Sequence, residues 1–300
     1  MFTRMKLSVK LISGFVAVGL IAAVIGTVGF VSLRGAKKHI LDVGAERLPG
    51  VQNLLTISEN LEKLKVAQRT LLNQDITAAD RAQQYENVAK ARETYGQAVT
   101  AYEALPHNAH EQQLWAQFKQ ALEEWKKENN TFFDLCQQLE KTDILNPAGL
   151  GMLIEKFVGD HYVLKDKAAA LVQKQHDFEG GDDHTACNFG KWVAQFKTQN
   201  HAIDGVLREM LEPHRQLHGL VRQTKELAQV GNAPEAAKTY EQMQSLLSKT
   251  FQDFDRIRQE ISRAAALYQQ TSSQGLGACA DKQSDAQQIL DKIVVANKDA

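Results

Sequence analysis

Cysteine is scarce: Cys136, Cys187 and Cys279 are the only three in 300 residues, too few and too far apart to frame a disulfide scaffold even in an oxidising compartment. Surplus charge is missing too. A formal net charge of -1 leaves no clustered basic excess to follow phosphates, which argues against a nucleic-acid partner. Strand-like alternation is nearly absent, so the expected fold class is all-α. There is no Ser-His-Asp order, no phosphate-binding glycine loop and no HExxH helix, so no catalytic residue is expected and the chain reads as something other than an enzyme.

Long apolar runs are also lacking, with one exception. Leu11 to Leu33 (LISGFVAVGLIAAVIGTVGFVSL) contains no charge and, at about 1.5 Å per residue, reaches across a bilayer core of about 30 Å. This predicts a transmembrane helix at 11–33 behind a cytoplasmic N-terminus at 1–10. The run exceeds the roughly 7–15 apolar residues of a signal peptide and lacks a clear small-residue cleavage site, which favours an uncleaved anchor. Arg4, Lys6 and Lys10 favour a cytoplasmic start, although Arg34, Lys37 and Lys38 follow the span. No comparable run occurs between Gly35 and Ala300, so everything downstream is expected on one side, outside the cytoplasm.

Beyond the span, Pro49-Gly50 punctuates the chain. Val51, Leu54, Ile57, Leu61, Leu64 and Leu71 then recur at spacings of three and four, as on one long helix. A second helix is predicted from about Thr77, with Tyr85, Val88, Tyr95, Val99 and Tyr102 as its apolar face, ending at Leu105-Pro106. A third runs from about His110 with the cleanest stripe of all: Trp115, Phe118, Leu122, Trp125, Phe132, Cys136 and Leu139, with Asn129 as its one polar member. Such a row reads as bundle core, and Cys136 as a small buried hydrophobe. Asn146-Pro147-Ala148-Gly149 breaks the pattern, and helical segments follow at about 151–176, 187–202, 203–229 and 233–262. After Gly275-Leu276-Gly277, SDAQQILDKIVVANKDA is amphipathic with no terminating signal before Ala300, so the native chain is expected to continue, towards a second membrane crossing.

The short basic start MFTRMKLSVK, the anchor, LPGVQNLLTISENLEKL, ALPHNAHEQQLWAQFKQALEEW and ILDKIVVANKDA together resemble the four-helix-bundle ligand-binding module of bacterial methyl-accepting chemotaxis proteins. The resemblance implies a membrane-bound receptor in the inner membrane with a periplasmic bundle. It also implies a homodimer, and output to chemotaxis signalling proteins through a region that this sequence does not contain. Helices one to three of the module would occupy 34–144, and its fourth helix would be displaced to 263–300 by a module inserted at 145–262.

Within that insert, His214 and His218 are four residues apart, which puts both imidazoles on one helical face, close enough to share an ion. Pro213 before them suits a first helical turn. With Cys187 and His161 they would complete a tetrahedron of three nitrogens and one sulfur, a donor set that favours zinc over hard ions such as magnesium. The plainer reading is that two histidines at this spacing arise by chance and that Cys187 is merely buried; His107, His110, His176, His184 and His201 show that most histidines here need no metal.

GDHYVLKDKAAAL, HTACNFGKWV and LEPHRQLHGLV in turn resemble the chemoreceptor zinc-binding domain, whose pattern is a His near the start of one helix, then Cys-x-Phe-Gly-x-Trp, then Pro-His-x-x-x-His. The resemblance implies zinc held by His161, Cys187, His214 and His218, with Phe189 and Trp192 as packing, Gly190 as a close backbone approach and Lys191 as a solvated charge. Leu164 stands where the family often has tryptophan, and His184 stays open as a substitute ligand. A closed shell of four protein ligands argues against a water-activating metalloenzyme. What remains is a sensor of zinc or oxidants, or a structural or adaptor bundle in which zinc is only a staple.

Overall fold

The computed structural model describes residues 6–299; Met1 to Met5, with Arg4 of the expected cytoplasmic start, and Ala300 lie outside the described residues. The described residues contain no strand, in keeping with an all-α chain. Among the described residues nine α-helices follow in order: α1 Leu7–Asp42, α2 Leu48–Leu71, α3 Ala78–Glu103, α4 Ala109–Lys141, α5 Pro147–Lys174, α6 Asn188–Val193, α7 His201–Gln229, α8 Ala233–Ser273 and α9 Cys279–Asp299. Two π-helical turns, Val43–Arg47 and Gln274–Ala278, join α1 to α2 and α8 to α9 without a break.

Those turns sit where the sequence suggests interruptions. Pro49 lacks an N–H for the carbonyl four residues back, and its ring crowds that carbonyl; a widened π turn at 43–47 absorbs both faults, so the helix continues. Gly275 and Gly277 likewise lie inside a π turn rather than ending a helix. Gly275 is needed there for space, since a Cβ would fall 2.7 Å from the Phe132 ring.

The chain divides into two compact units. The first comprises Met1–Lys65, Glu86–Glu123 and Gln283–Ala300. Its interior is built by the three-and-four spacing of apolar residues: Leu54, Ile57, Leu61 and Leu64 on α2, Tyr95 and Tyr102 on α3, Trp115, Phe118 and Leu122 on α4, and Leu290 and Ile293 on α9 are all buried. Val99, expected on the α3 face, is only half-buried because Ala98 takes the inward position.

The second unit comprises Val66–Tyr85 and Glu124–Lys282. Here α5, α7 and α8 pack together around two apolar clusters. One gathers Ile154, Phe157, Ile203, Met210, Phe254 and Ile257, with Phe189 from α6. The other gathers Leu164, Leu217, Val221, Met243 and Leu247. Along α5 and α7, the stretch between the two clusters falls at His161 and His214.

Local chemistry sets the helix limits. Asn146, whose side chain accepts from the Gly149 N–H at 2.7 Å, caps α5, with Pro147 in the first turn, so the expected break is a helix start. Pro213 lies well inside α7 and not in a first turn, a correction to the sequence reading; it forgoes one hydrogen bond in mid-helix. The expected helix at 187–202 is mostly not helical. It stops at Val193 because the following residues find other partners: the Thr198 hydroxyl and Gln199 N–H donate to Asp143 at 2.7 and 2.6 Å, and the Asn200 side chain caps α7 by accepting from Ile203 N–H. Between α7 and α8, Gly231 adopts a positive φ of 73°, the left-handed geometry that closes a helix.

Candidate metal centre

The four residues singled out from spacing come together. One ligand atom from each of His161 on α5, Cys187 just ahead of α6, and His214 and His218 on α7 lies within 4.8 Å of the other three. His214 Nε2 is 3.1 Å from His218 Nε2 and 3.4 Å from Cys187 Sγ. The three histidines are at most 2% exposed, while Cys187 is half-buried.

Two ring tautomers are set by backbone carbonyls. His161 Nδ1–H donates to the Phe157 carbonyl at 2.6 Å, one turn earlier on α5, and His218 Nδ1–H donates to the Gly181 carbonyl at 2.8 Å. Each Nε2 therefore carries a lone pair and no proton. His161 Nε2 is buried with no hydrogen-bond partner, and the lone pair of His218 faces His214 Nε2 across 3.1 Å. The unpartnered His161 Nε2 is costly to bury unless something electron-accepting sits beside its lone pair.

The electrostatics agree. Burial, reinforced by the neighbouring imidazoles, pushes His214 down to about 2; burial also pushes His218 down to about 4 and lowers His161. The rings are thus held neutral, the form that donates to a metal. Burial pushes the Cys187 thiol up, against the pull of the Gly190 and Phe189 N–H groups. Cys187 is the cap of α6, its sulfur accepting from Gly190 N–H at 3.1 Å, so one backbone bond already favours the thiolate.

The donor set fits zinc. Bonds of about 2.0–2.3 Å arranged tetrahedrally imply edges of about 3.3–3.6 Å between ligand atoms, and the 3.1 and 3.4 Å separations lie close to that. Three imidazoles and a thiol also match the softness of that ion better than that of magnesium or calcium.

Several supporting groups carry no side-chain signature in the sequence. The carbonyls of Phe157 and Gly181 are one kind. The Gly180-Gly181 pair, at φ of 74° and 82°, was the available clue to the tight strap that presents the second carbonyl. That strap is tied to α7 by Arg222, which donates to the Asp182 carbonyl, and by Lys225, which donates to the Gly180 carbonyl and lies over the Phe178 ring. Leu164 is buried directly against Gly181, where an added Cβ would overlap its side chain. At Gly190 a Cβ would overlap the His184 carbonyl oxygen, so only glycine permits this turn.

Phe189 is buried with its ring edge-on to His214, and Trp192 stacks on Phe196, in keeping with packing roles. Lys191 is exposed. His184 lies near the cluster, its ring centroid 6.3 Å from that of His214, but it is not among the four converging atoms. A cavity of about 160 Å³, lined in part by His161, Cys187 and His218, borders the cluster next to Asp160, Lys167 and Asn188.

Comparison with known proteins agrees with both modules. Residues 4–146 match the family described as a four helix bundle sensory module for signal transduction, and residues 161–225 match the chemoreceptor zinc-binding domain. No curated protein and no solved structure gives a significant match over the chain. The second match spans His161, Cys187, His214 and His218. The chain thus carries a four-helix-bundle sensory module and a chemoreceptor zinc-binding domain.

Proposed function

We propose that the chain is the sensory region of a membrane-bound chemoreceptor whose zinc is held by His161, Cys187, His214 and His218. The observation that carries this reading is the convergence of buried imidazole nitrogens on one thiol, with two rings held by carbonyls in the tautomer that keeps the proton on Nδ1 and the lone pair on Nε2. When bound, zinc would supply a charge that holds Cys187 as thiolate and ties α5, α6 and α7 to one point. Four protein ligands complete its shell and leave no position for a reacting water, which supports a sensor over an enzyme.

The residues then act as a conditional clasp. Loss of the ion at low free zinc, or conversion of the Cys187 sulfur to a sulfenic acid by a two-electron oxidant, removes the common point. His161 and the His214 turn of α7 are then free to separate, and α8, packed on both α5 and α7 and continuous with α9, passes the shift along the bundle. The half-buried sulfur and the bordering cavity support access by small oxidants.

The membrane assignment rests on α1, where Phe15, Leu20, Ile25 and Val31 are among many large apolar side chains left more than half exposed. In this reading residues 1–10 are cytoplasmic, 11–33 cross the inner membrane, and the bundle at 34–144, the zinc module at 145–262 and the returning helix at 263–300 are periplasmic. The chain pairs with a second copy through its bundle and signals to chemotaxis proteins through a further region. Protease accessibility of the His161–His218 region in spheroplasts tests the side; full protection contradicts it.

Zinc content of the detergent-purified full chain tests the centre. About one zinc per chain, lost in Cys187→Ala, supports the reading, and a chain that neither carries nor takes up zinc overturns it. A closed shell also suits a purely structural staple. A receptor output that changes with zinc or oxidant and becomes insensitive in Cys187→Ala separates sensing from stapling.

A further inference from the structure

A second buried polar cluster, wholly within the first unit, has no part in the metal centre. His107, in the connection from α3 to α4, directs Nε2–H at the Tyr102 carbonyl at 2.8 Å; a carbonyl only accepts, so in the neutral ring Nδ1 keeps a lone pair. That Nδ1 is buried with no hydrogen-bond partner and lies 4.0 Å from Glu111 Oε2. Glu111 is 4% exposed, and its two carboxylate oxygens accept from Asn108 N–H at 3.0 Å and from Asn297 Nδ2 at 3.1 Å. With the Asn297 amide oriented by that bond, its Oδ1 is left buried and without a hydrogen bond, on a residue only 7% exposed. The Tyr102 hydroxyl is orphaned too, and burial with the nearby Glu111 carboxylate pushes its phenol far up.

His107, Glu111 and Asn297 line one cavity of about 200 Å³, bordered also by Glu46 and Arg47 from the first π turn. Gly50 makes room for the Asn297 side chain: a Cβ there would lie 2.9 Å from Asn297 Nδ2. The interior offers a carboxylate and two unused acceptors. Their spacing discriminates between guests. The 4.0 Å gap exceeds the edge of about 3.3–3.6 Å in a tetrahedral metal shell and approaches the separation of about 4.6 Å between acceptors that share one N–H-bearing nitrogen at about 2.8 Å. The volume lies below the roughly 300–1,000 Å³ of drug-sized sites, so the guest is compact.

We propose that this cavity binds a small primary ammonium compound, with its N–H donors shared among the Glu111 carboxylate, His107 Nδ1 and Asn297 Oδ1. An ammonium supplies the charge and the three donors that this set of acceptors lacks. The bound guest would tie the start of α4 to the end of α9 beside the first π turn, a contact independent of zinc.

Calorimetric titration of the full chain in detergent with n-butylammonium tests the proposal, with n-butanol and tetramethylammonium as controls. Saturable binding of n-butylammonium is expected, with each control weaker by about tenfold or more, because one lacks the charge and the other lacks N–H donors. Glu111→Gln and Asn297→Leu should each weaken it by about tenfold while zinc content stays at the wild-type level. Should either variant lose its helical signal, selective thermal stabilisation of the wild-type chain by n-butylammonium, and not by the controls, makes the same distinction. Absence of saturable binding, or equal binding of n-butylammonium and n-butanol, overturns the proposal and leaves the cavity to water.

Discussion

Helices α4 and α7 carry the same kind of sequence anomaly with opposite chemical outcomes. On α4, Asn129 interrupts a row of aromatics; on α7, His214 and His218 interrupt Ile203, Val206, Met210, Leu217 and Val221. All three polar side chains are about 1% exposed. Asn129 is answered within the protein, since its Oδ1 accepts from Gln68 Nε2 and the pair needs nothing more from outside at that bond. His214 and His218 instead turn Nε2 atoms toward one another, and His161 adds a third. A buried polar residue therefore points to a ligand where a lone pair such as that of His161 Nε2 is left without a donor, and to a structural bond where a donor meets an acceptor.

The cysteines repeat the contrast. Burial, with Glu140 nearby, pushes the Cys136 thiol to about 12, which makes it an inert member of the stripe. Cys187 has two backbone N–H groups opposing its burial and three imidazoles beside it.

The largest test of this difference is removal of an imidazole. His214→Ala should lower zinc affinity by more than about 100-fold, beyond the 10–100-fold that outer supporting groups typically cost, whereas Asn129→Leu should leave zinc content unchanged. Competition titration with a chelating dye measures both. Gly190→Ala comes next. Its new Cβ must displace the His184 carbonyl and the turn that presents Cys187, so zinc affinity should fall by about 10–100-fold and stability by about 1–3 kcal/mol, read by the same titration and by thermal melts.

Within the bundle, Asn129→Leu alone should cost about 1–3 kcal/mol, because it removes the acceptor of the buried Gln68 Nε2, and adding Gln68→Leu should recover much of that loss. If the double variant is no more stable than the single one, the two amides do not act as a pair. The smallest effect is a pH dependence confined to the metal-free chain. An unfolded histidine takes its proton near 6.5, whereas folded His218 does so only near 4. Between those values the unfolded state holds more protons, so stability should rise from about pH 4 to about 6.5 and be lost on acidification through that window. Melts of chelator-treated protein that are flat across it would contradict buried neutral imidazoles.

Much of this was legible in the amino-acid order. The spacing of Leu54 to Leu71 and the Trp115 to Leu139 stripe announced long helices, because a helix repeats its face every three or four residues whatever surrounds it. His161, Cys187, His214 and His218 could be singled out because side chains carry the chemistry, and the structure brings their donor atoms together. The groups that aim the quartet could not, since the carbonyls of Phe157 and Gly181 belong to a backbone that every residue shares. Helix limits were lost where local punctuation met wider context. Pro49 and the Gly275-Gly277 pair look like stops but are absorbed by π turns, and Thr198 and Gln199 leave the helix because Asp143, distant in sequence, accepts their bonds.

X-ray absorption at the zinc edge of the purified full chain reads the ligand shell itself. A His3Cys centre predicts one zinc per chain with one sulfur at about 2.3 Å and three nitrogens at about 2.0 Å, and loss of the sulfur shell in Cys187→Ala. A zinc-free chain that takes up no zinc, or a shell made of oxygen ligands without sulfur, would contradict it.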